Sequence, residues 1–161
     1  MKSCSFTGHR KIKITPELIR RLKDTILYVV GLGVTEFYAG GSWGFDMLCE
    51  QTIIEMQEEY NTIKLHLVLP CPPEEQTKVW NATLVSEYKK ILKYADSVTV
   101  LSDHYTDECM KIRNARLVEL ADYCICYCTN RRSGTGQTVR MAENNGIPTV
   151  NLAKDNENFF S

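Results

Sequence analysis

Residues 34–46 read VTEFYAGGSWGFD, and this segment is the most informative part of the sequence about the fold. Its first six residues are rich in β-branched and aromatic side chains, which favour a strand over Val34–Ala39. Glycines at positions 40, 41 and 44 then end the strand, and apolar residues at helical spacing predict a helix over 45–60. A strand, a glycine-rich loop and a helix in this order are typical of an α/β unit with parallel strands.

The same alternation continues on both sides of this unit. A first strand over 2–7 precedes a helix that Thr15 and Pro16 begin and Gly31 ends. Further strands are predicted over 63–69, 97–101, 123–128 and 147–151, with an irregular helical stretch through Lys93 and helices over 106–120 and 137–145. We therefore expect a Rossmann-like α/β fold: an open, mainly parallel sheet with helices on both faces. Residues 1–153 should form one domain, and 154–161 a C-terminal tail.

The composition limits the classes of protein to which the chain can belong. It has 161 residues, of which 43% are hydrophobic and 24% charged, so it folds and is not of low complexity. The net charge of -1 does not mark a duplex-DNA or membrane-surface binder, and nucleic acid is not expected as a partner. No apolar run approaches the ~18 residues that cross a bilayer. The N-terminus also lacks a secretion signal, so we predict a cytoplasmic protein without membrane contact.

Seven cysteines occur in the sequence, and we interpret them as buried thiols. Cys124, Cys126 and Cys128 alternate along a predicted strand, which places them on one face. The chain has no Cys-x-x-Cys and no His-x-x-x-His pair that could bring zinc ligands together. We predict no bound metal, no disulfide and no cofactor.

The candidate binding residues lie in three loops that follow predicted strands. In open parallel sheets a ligand binds beyond the carboxyl ends of the strands. There the glycines let the backbone approach the ligand, and helix N-termini favour phosphate. We predict one shared pocket, with Thr7, Gly40 and Ser133 close to one another. Its residues are Thr7, Gly8, His9 and Arg10 after the first strand, Gly40, Gly41, Ser42, Gly44 and Asp46 after the second, and Ser133, Gly134, Thr135, Gly136 and Thr138 after the fifth.

Each of these features also has a purely structural interpretation. A Gly-Gly pair can simply turn the chain, Asp46 can cap the following helix, and Arg113 can lie on a solvated helix face. In the functional interpretation Asp46 binds a ribose hydroxyl, while Trp43 and Tyr105 stack on a base. Each helix N-terminus supplies only about half a positive charge, so a phosphate needs Arg10 or Arg113 as well. Of these two, Arg113 is the stronger candidate.

Four motifs occur in a specific order and spacing. They are Phe6-Thr7-Gly8-His9-Arg10, Gly40-Gly41-Ser42-Trp43-Gly44-Phe45-Asp46, Cys109-Met110 with Arg113-Asn114, and Gly134-Thr135 with Thr138. Together they resemble the YpsA-like branch of the SLOG superfamily over about residues 2–151. That superfamily includes the DNA-processing protein DprA and the Lonely Guy phosphoribohydrolases, and its shared theme is a Rossmann-like nucleotide pocket. The resemblance implies a domain that binds a nucleotide or nucleotide derivative as a sensor or regulator. It adds Arg113 and Asn114 to the site and implies pairing as a homodimer.

The resemblance to the phosphoribohydrolases is incomplete at the position that matters for catalysis. In those enzymes a helix arginine precedes an Asp-initiated strand that ends in Pro-Gly-Gly-x-Gly-Thr-x-x-Glu. Arg113, Asp122, Gly134 and Thr135 look similar in order. Thr138, however, stands where the pattern has its glutamate, and a hydroxyl cannot replace the carboxylate that assists departure of a base.

Two further hypotheses for the function stay open beside nucleotide binding. The first is an enzyme that cleaves an N-glycosidic or phosphate-linked bond, with His9, Asp46 and Glu143 as the acid-base candidates. The second is DprA-like binding of single-stranded DNA, for which Arg131 and Arg132 are the local basic residues. The sequence therefore leaves open whether the protein is an enzyme.

Overall fold

The computed structural model describes residues 1–154, and their elements alternate between strand and helix. In chain order they are β1 (Lys2–Gly8), α1 (Pro16–Gly31), β2 (Val34–Ala39), α2 (Phe45–Met56), β3 (Lys64–Leu69), α3 (Pro73–Gln76), α4 (Ala82–Tyr94), β4 (Ser97–Val100), α5 (Cys109–Leu120), β5 (Tyr123–Tyr127), α6 (Gly134–Asn144) and β6 (Thr149–Asn151). Within this part of the chain the strands form one six-stranded sheet in the order β4-β3-β2-β1-β5-β6.

Every strand pair in this sheet is parallel, which confirms the predicted Rossmann-like fold. The central strand β1 pairs with β2 on one side and β5 on the other, so that Ser5 lies opposite both Tyr38 and Cys124. The chain builds outward from β1 to β4 and then returns to the other side of β1. The loops after β2, β1 and β5 therefore lie side by side at one edge of the sheet, as predicted.

Helices cover both faces of the sheet, and the alternation of side chains along β1 assigns each helix to a face. Cys4 and Phe6 of β1 are fully buried in the main core with residues of α1 and α2, and the ring of Phe6 stacks on Phe37. The intervening residue Ser5 points the other way and donates a hydrogen bond to the carbonyl of Leu117 in α5. Consequently α2 and α5 lie on opposite faces.

The helix predicted over 45–60 ends earlier, at Met56. Two other helices begin at residues that differ from the sequence prediction, for local reasons. We predicted a helix from residue 137, but α6 begins at Gly134, because Ser133 caps it and its Oγ accepts a hydrogen bond from the amide of Gly136 at 3.0 Å. The predicted helix from residue 106 begins at Cys109, since the chain first makes a turn in which the Cys109 amide bonds Thr106. The N-terminal cap at Thr15 is confirmed.

Residues 155–161 lie outside the described part of the chain, so the division into a domain and a tail stays a prediction. Among the helices of residues 1–154, none combines the length and apolar character that crossing a membrane requires. All seven cysteines are buried and free. In the same residues, no group of three or more His, Cys, Asp or Glu side chains is arranged to hold a metal ion.

Candidate functional site

The loop after β2 is buried, and its polar backbone groups bind side chains of the protein. The carbonyl of Gly40 accepts a hydrogen bond from the guanidinium of Arg113, and that of Gly41 accepts one from Gln76 at 3.2 Å. The amide of Ser42 donates to the carboxylate of Asp46 at 3.3 Å. These hydrogen bonds hold the loop in place, and the backbone groups that make them face the interior of the protein.

Close packing explains the glycines of this loop. Gly41 and Gly44 have φ angles of +76° and +82°, which residues with a β-carbon rarely adopt. Gly40 has a different role, because a β-carbon there would collide with the guanidinium of Arg113. Arg113 belongs to α5, on the face of the sheet opposite α2. The missing side chain at residue 40 lets it reach across the end of β2.

Beyond the end of β2, the side chain of Arg113 lies with Asp46 and Glu50 of α2 in a buried cluster of ionisable groups. These three side chains belong to residues that are 6%, 5% and 0% exposed. Burial raises the pKa of Asp46 to about 6, against the opposing effect of the Arg113 charge. Burial and the neighbouring Asp46 raise the pKa of Glu50 well above its usual value, which favours the neutral form of Glu50. The positive charge of Arg113 is thus balanced inside the protein by Asp46.

An open cleft of about 540 Å³ adjoins this buried cluster at the carboxyl edge of the sheet. Its walls come from the loops after β1, β3 and β4 and from the first turn of α5. It contains two cationic side chains, three ring side chains and one carboxylate. The lining residues are Arg10, Glu75, Gln76, Lys78, Val79, Trp80, His104, Tyr105 and Met110.

Two of the lining residues connect the cleft to the buried loop. Gln76 donates to the carbonyl of Gly41 and accepts a hydrogen bond from the hydroxyl of Tyr88 at 2.9 Å. The guanidinium of Arg113 donates a hydrogen bond to the sulfur of Met110, with 3.5 Å between Nη2 and Sδ. The inner wall of the cleft is therefore anchored to the glycine loop.

The predicted site residues divide into those that line this cleft and those that lie behind it. Arg10 and Tyr105 line it, and both are exposed. Gly40, Gly41, Ser42, Asp46 and Arg113 are buried behind its wall, while Asn114 accepts a hydrogen bond from Arg113 at 2.7 Å. Contact between Arg113 and a phosphate stays a prediction, since its guanidinium already binds Gly40.

The sequence prediction missed most of the cleft because it left out the loop after β3. That loop carries Glu75, Gln76, Lys78, Val79 and Trp80. Its proline-rich start was interpreted as the end of a strand, although the loop follows a parallel strand and so lies at the same edge. The sequence signal for this part of the cleft was a cation close to a tryptophan, Lys78 and Trp80, in a loop that follows a parallel strand.

His9 joins the loops after β1 and β5 rather than lining the cleft. Its Nε2 accepts a hydrogen bond from the amide of Thr129 at 2.8 Å, so that nitrogen's lone pair is engaged. Its backbone amide and carbonyl bind Tyr127 and Phe45. Nearby, Thr7 is buried and Gly8 packs directly against Phe45.

The predicted residues of the loop after β5 form the start of α6. Ser133 caps the helix, Thr138 donates back to the carbonyl of Gly134 at 3.0 Å, and Gly136 packs against the backbone of Arg131. Thr135 is half-buried, and Gly134 is exposed with open space where a β-carbon would lie. None of residues 133–138 lines the cleft. Glu143, further along α6, pairs with Arg131 at 3.0 Å.

Comparison with known proteins identifies the family. The YpsA family model, described as the YspA SLOG family, matches residues 6–146. The chain belongs to this SLOG family. This confirms the resemblance carried by the four motifs, which lie within or at the edge of the matched region. No curated protein matches the sequence of this SLOG domain.

Solved structures with the same fold include two DNA processing proteins. DNA processing protein A from Helicobacter pylori is 16% identical with a TM-score of 0.63, and the match covers 92% of this chain and 63% of that one. DNA processing protein A (DprA) from Streptococcus pneumoniae is 14% identical with a TM-score of 0.67, and the match covers 92% of this chain and 49% of that one. The SLOG domain thus spans less than two thirds of each neighbour.

One expectation about partners is wrong. The net charge predicts that nucleic acid is not a partner, yet the Helicobacter protein, which has this fold, binds single-stranded DNA. The expectation rested on the net charge of the whole chain, whereas single strands bind in local grooves of cations and aromatic rings. The likeness to these neighbours, at 14% and 16% identity, shows the shared fold.

Proposed function

We propose that this SLOG domain binds a nucleotide or nucleotide derivative in the cleft and acts as a sensor or regulator. The observation that carries the proposal is the pairing of cations with ring side chains in one cleft. Arg10 and Lys78 supply charge for phosphate, and Trp80 and Tyr105 offer faces on which a base can stack. Base stacking on an aromatic side chain contributes about 1–3 kcal/mol per base.

The positions of the acid-base candidates favour binding over hydrolysis. His9 has its Nε2 engaged by a backbone amide, Asp46 is buried behind the wall, and Glu143 pairs with Arg131. Glu75 does line the cleft, but the hydrogen bond from the Tyr105 amide lowers its pKa. A carboxyl with a lowered pKa is ionised at neutral pH and is a poor general acid.

Single-stranded DNA is the second candidate ligand for the same cleft. A DNA strand presents the same two groups, a phosphate and a base, that Arg10 and Trp80 suit. The likeness in fold to a single-stranded-DNA-binding protein favours this alternative. The two candidates differ in whether a mononucleotide suffices for binding.

Calorimetry with AMP, ADP, ADP-ribose and a single-stranded oligothymidylate tests the proposal. We expect a nucleotide to bind and Arg10→Ala to weaken it about ten- to a hundredfold, because one charge-assisted hydrogen bond contributes about 1.5–3 kcal/mol. Lys13→Ala removes an exposed cation from the same loop outside the cleft and should leave the affinity unchanged.

The outcomes of this titration separate the hypotheses. Binding of the oligonucleotide alone would favour the second candidate, and no binding of any ligand would overturn both. Release of free base from AMP, detected by chromatography, would instead favour an enzyme. An equal loss in Arg10→Ala and Lys13→Ala would show that the ligand lies outside the cleft.

A further inference from the structure

The segment 102–108, between β4 and α5, forms one wall of the cleft, and residues 103–108 are all exposed. Backbone hydrogen bonds fix the segment at its two ends. The Leu101 amide binds the carbonyl of Leu69 at 3.0 Å, and the Cys109 amide binds that of Thr106 at 3.3 Å. Between these ends the segment presents the rings of His104 and Tyr105 to the cleft. Something must hold these rings in place if a base is to stack there.

The carboxylate of Glu75 in α3 makes that connection. It accepts a hydrogen bond from the backbone amide of Tyr105, and its other oxygen lies 3.4 Å from Nδ1 of His104. This carboxylate therefore joins the middle of the segment 102–108 to α3. A single side chain thus connects two of the segments that line the cleft.

The base of this connection is itself rigid. Glu75 belongs to α3, whose next residue, Gln76, is 6% exposed and binds both Gly41 and Tyr88. Pro72 and Pro73 lead into α3 and restrict its backbone. The backbone that carries the Glu75 carboxylate is therefore held in place. Its hydrogen bond restricts the motion of the segment 102–108.

We propose that Glu75 is a positioning residue, which latches the segment 102–108 to α3 and so forms the stacking wall before a ligand arrives. This inference rests on the proposed function and explains why a cleft suited to phosphate contains a carboxylate. The carboxylate oxygens of Glu75 are engaged by the Tyr105 amide and by His104. Pre-forming the wall lowers the conformational entropy that a ligand must otherwise overcome on binding.

Hydrogen exchange in the ligand-free protein tests the latch directly. The Tyr105 amide should exchange at least tenfold faster in Glu75→Ala than in the wild type, because its acceptor is gone. Glu75→Gln keeps an acceptor oxygen at the same place and should restore most of the protection. Glu74→Ala removes the adjacent, exposed carboxylate and is the matched control, in which the Tyr105 amide should exchange as in the wild type.

Calorimetry with AMP on the same variants tests whether the latch matters for binding. We expect Glu75→Ala to bind AMP about tenfold more weakly, Glu75→Gln to recover most of the affinity, and Glu74→Ala to match the wild type. Circular dichroism melts of each variant establish that it is folded, and Glu75→Gln provides the comparison if Glu75→Ala does not fold.

The two measurements distinguish failure of the latch from failure of the proposed function. Unchanged exchange of the Tyr105 amide in Glu75→Ala would overturn the latch, whatever the affinity. Faster exchange with unchanged AMP affinity would overturn the positioning role. If the wild type binds no nucleotide, the proposed function fails and the positioning role falls with it. In that case the exchange rates report only whether the hydrogen bond to Glu75 holds the segment 102–108 in place.

Discussion

Among the single residues, Asp46 has an environment that depends on Arg113, a side chain distant in the sequence. Asp46 and Glu50 lie four residues apart on α2, so they share a helix face and bring two carboxyls together in the core. Ionising a buried carboxyl beside a second carboxyl is costly, and this cost raises the pKa of both groups. Arg113 relieves the cost by reaching past Gly40 from the other face of the sheet. Removing one partner of such a buried charge cluster destabilises a protein by about 3–5 kcal/mol.

The raised pKa of Asp46 gives stability a specific dependence on pH. Its pKa is about 6 in the folded protein against an ordinary value of 3.8, so between these values the folded state binds more protons than the unfolded state. The contribution of Asp46 to the free energy of unfolding therefore falls as pH rises from about 4 to about 6. Urea denaturation across this range should show the difference in stability between wild type and Asp46→Asn falling as pH rises.

A control variant separates this effect from the other carboxyls of the chain. Asp24→Asn changes an exposed carboxyl of α1 that pairs with Arg20, and its stability should run parallel to the wild type over the same range. A difference between wild type and Asp46→Asn that stays constant from pH 4 to pH 6 would contradict the raised pKa.

At the scale of elements, the glycines of the two predicted loops have different reasons to be there. Those after β2 sit where packing or a positive φ leaves no room for a side chain. In α6, Gly136 packs directly on the backbone of Arg131. Gly134 differs from all of these, because the protein itself leaves open space around it. Contacts among residues 1–154 therefore do not require glycine at position 134.

Alanine substitutions at Gly134 and Gly136 form a matched pair within one helix. Gly134→Ala should leave stability unchanged or raise it by up to about 1 kcal/mol, since alanine loses less backbone entropy in a helix. Gly136→Ala should destabilise the protein by about 1–3 kcal/mol, because its β-carbon collides with the Arg131 backbone. Chemical denaturation measures both, and equal effects of the two variants would contradict this account.

At the scale of the whole molecule, the seven cysteines are distributed through the core rather than concentrated at a site. Cys124, Cys126 and Cys128 pack with Val118, Val139 and Ala142 in a second apolar cluster beside the main core. Burial raises the pKa of the Cys71 thiol to about 11, so it is a weak nucleophile at neutral pH. The thiols therefore serve as small apolar side chains of the fold.

Thiol titration with Ellman's reagent checks this distribution. Because every cysteine is buried, fewer than one thiol per chain should react within minutes in the native protein at neutral pH. All seven should react once the protein is unfolded in guanidinium chloride. Rapid reaction of two or more thiols in the native state would show that part of the core opens readily.

Local patterns in the sequence predicted the fold class, the parallel sheet and the edge at which the loops after β1, β2 and β5 lie. Strand and helix patterns are local, as in the exact match of β2 to Val34–Ala39, and parallel connections leave few alternatives for the topology. The same local signals identified the cap at Thr15 and the placement of Arg10 at the carboxyl edge.

Which of these residues line the cleft and which are buried behind it depends on tertiary packing. Arg113 and Gly40 are 73 residues apart, and no local pattern indicates that one passes over the other into the core. The cleft likewise joins Glu75 to Tyr105 across 30 residues, through a loop whose sequence shows only where a strand ends. Side-chain exposure is set by packing between elements distant in sequence, and for that reason local patterns did not indicate that the loop after β3 lines the cleft.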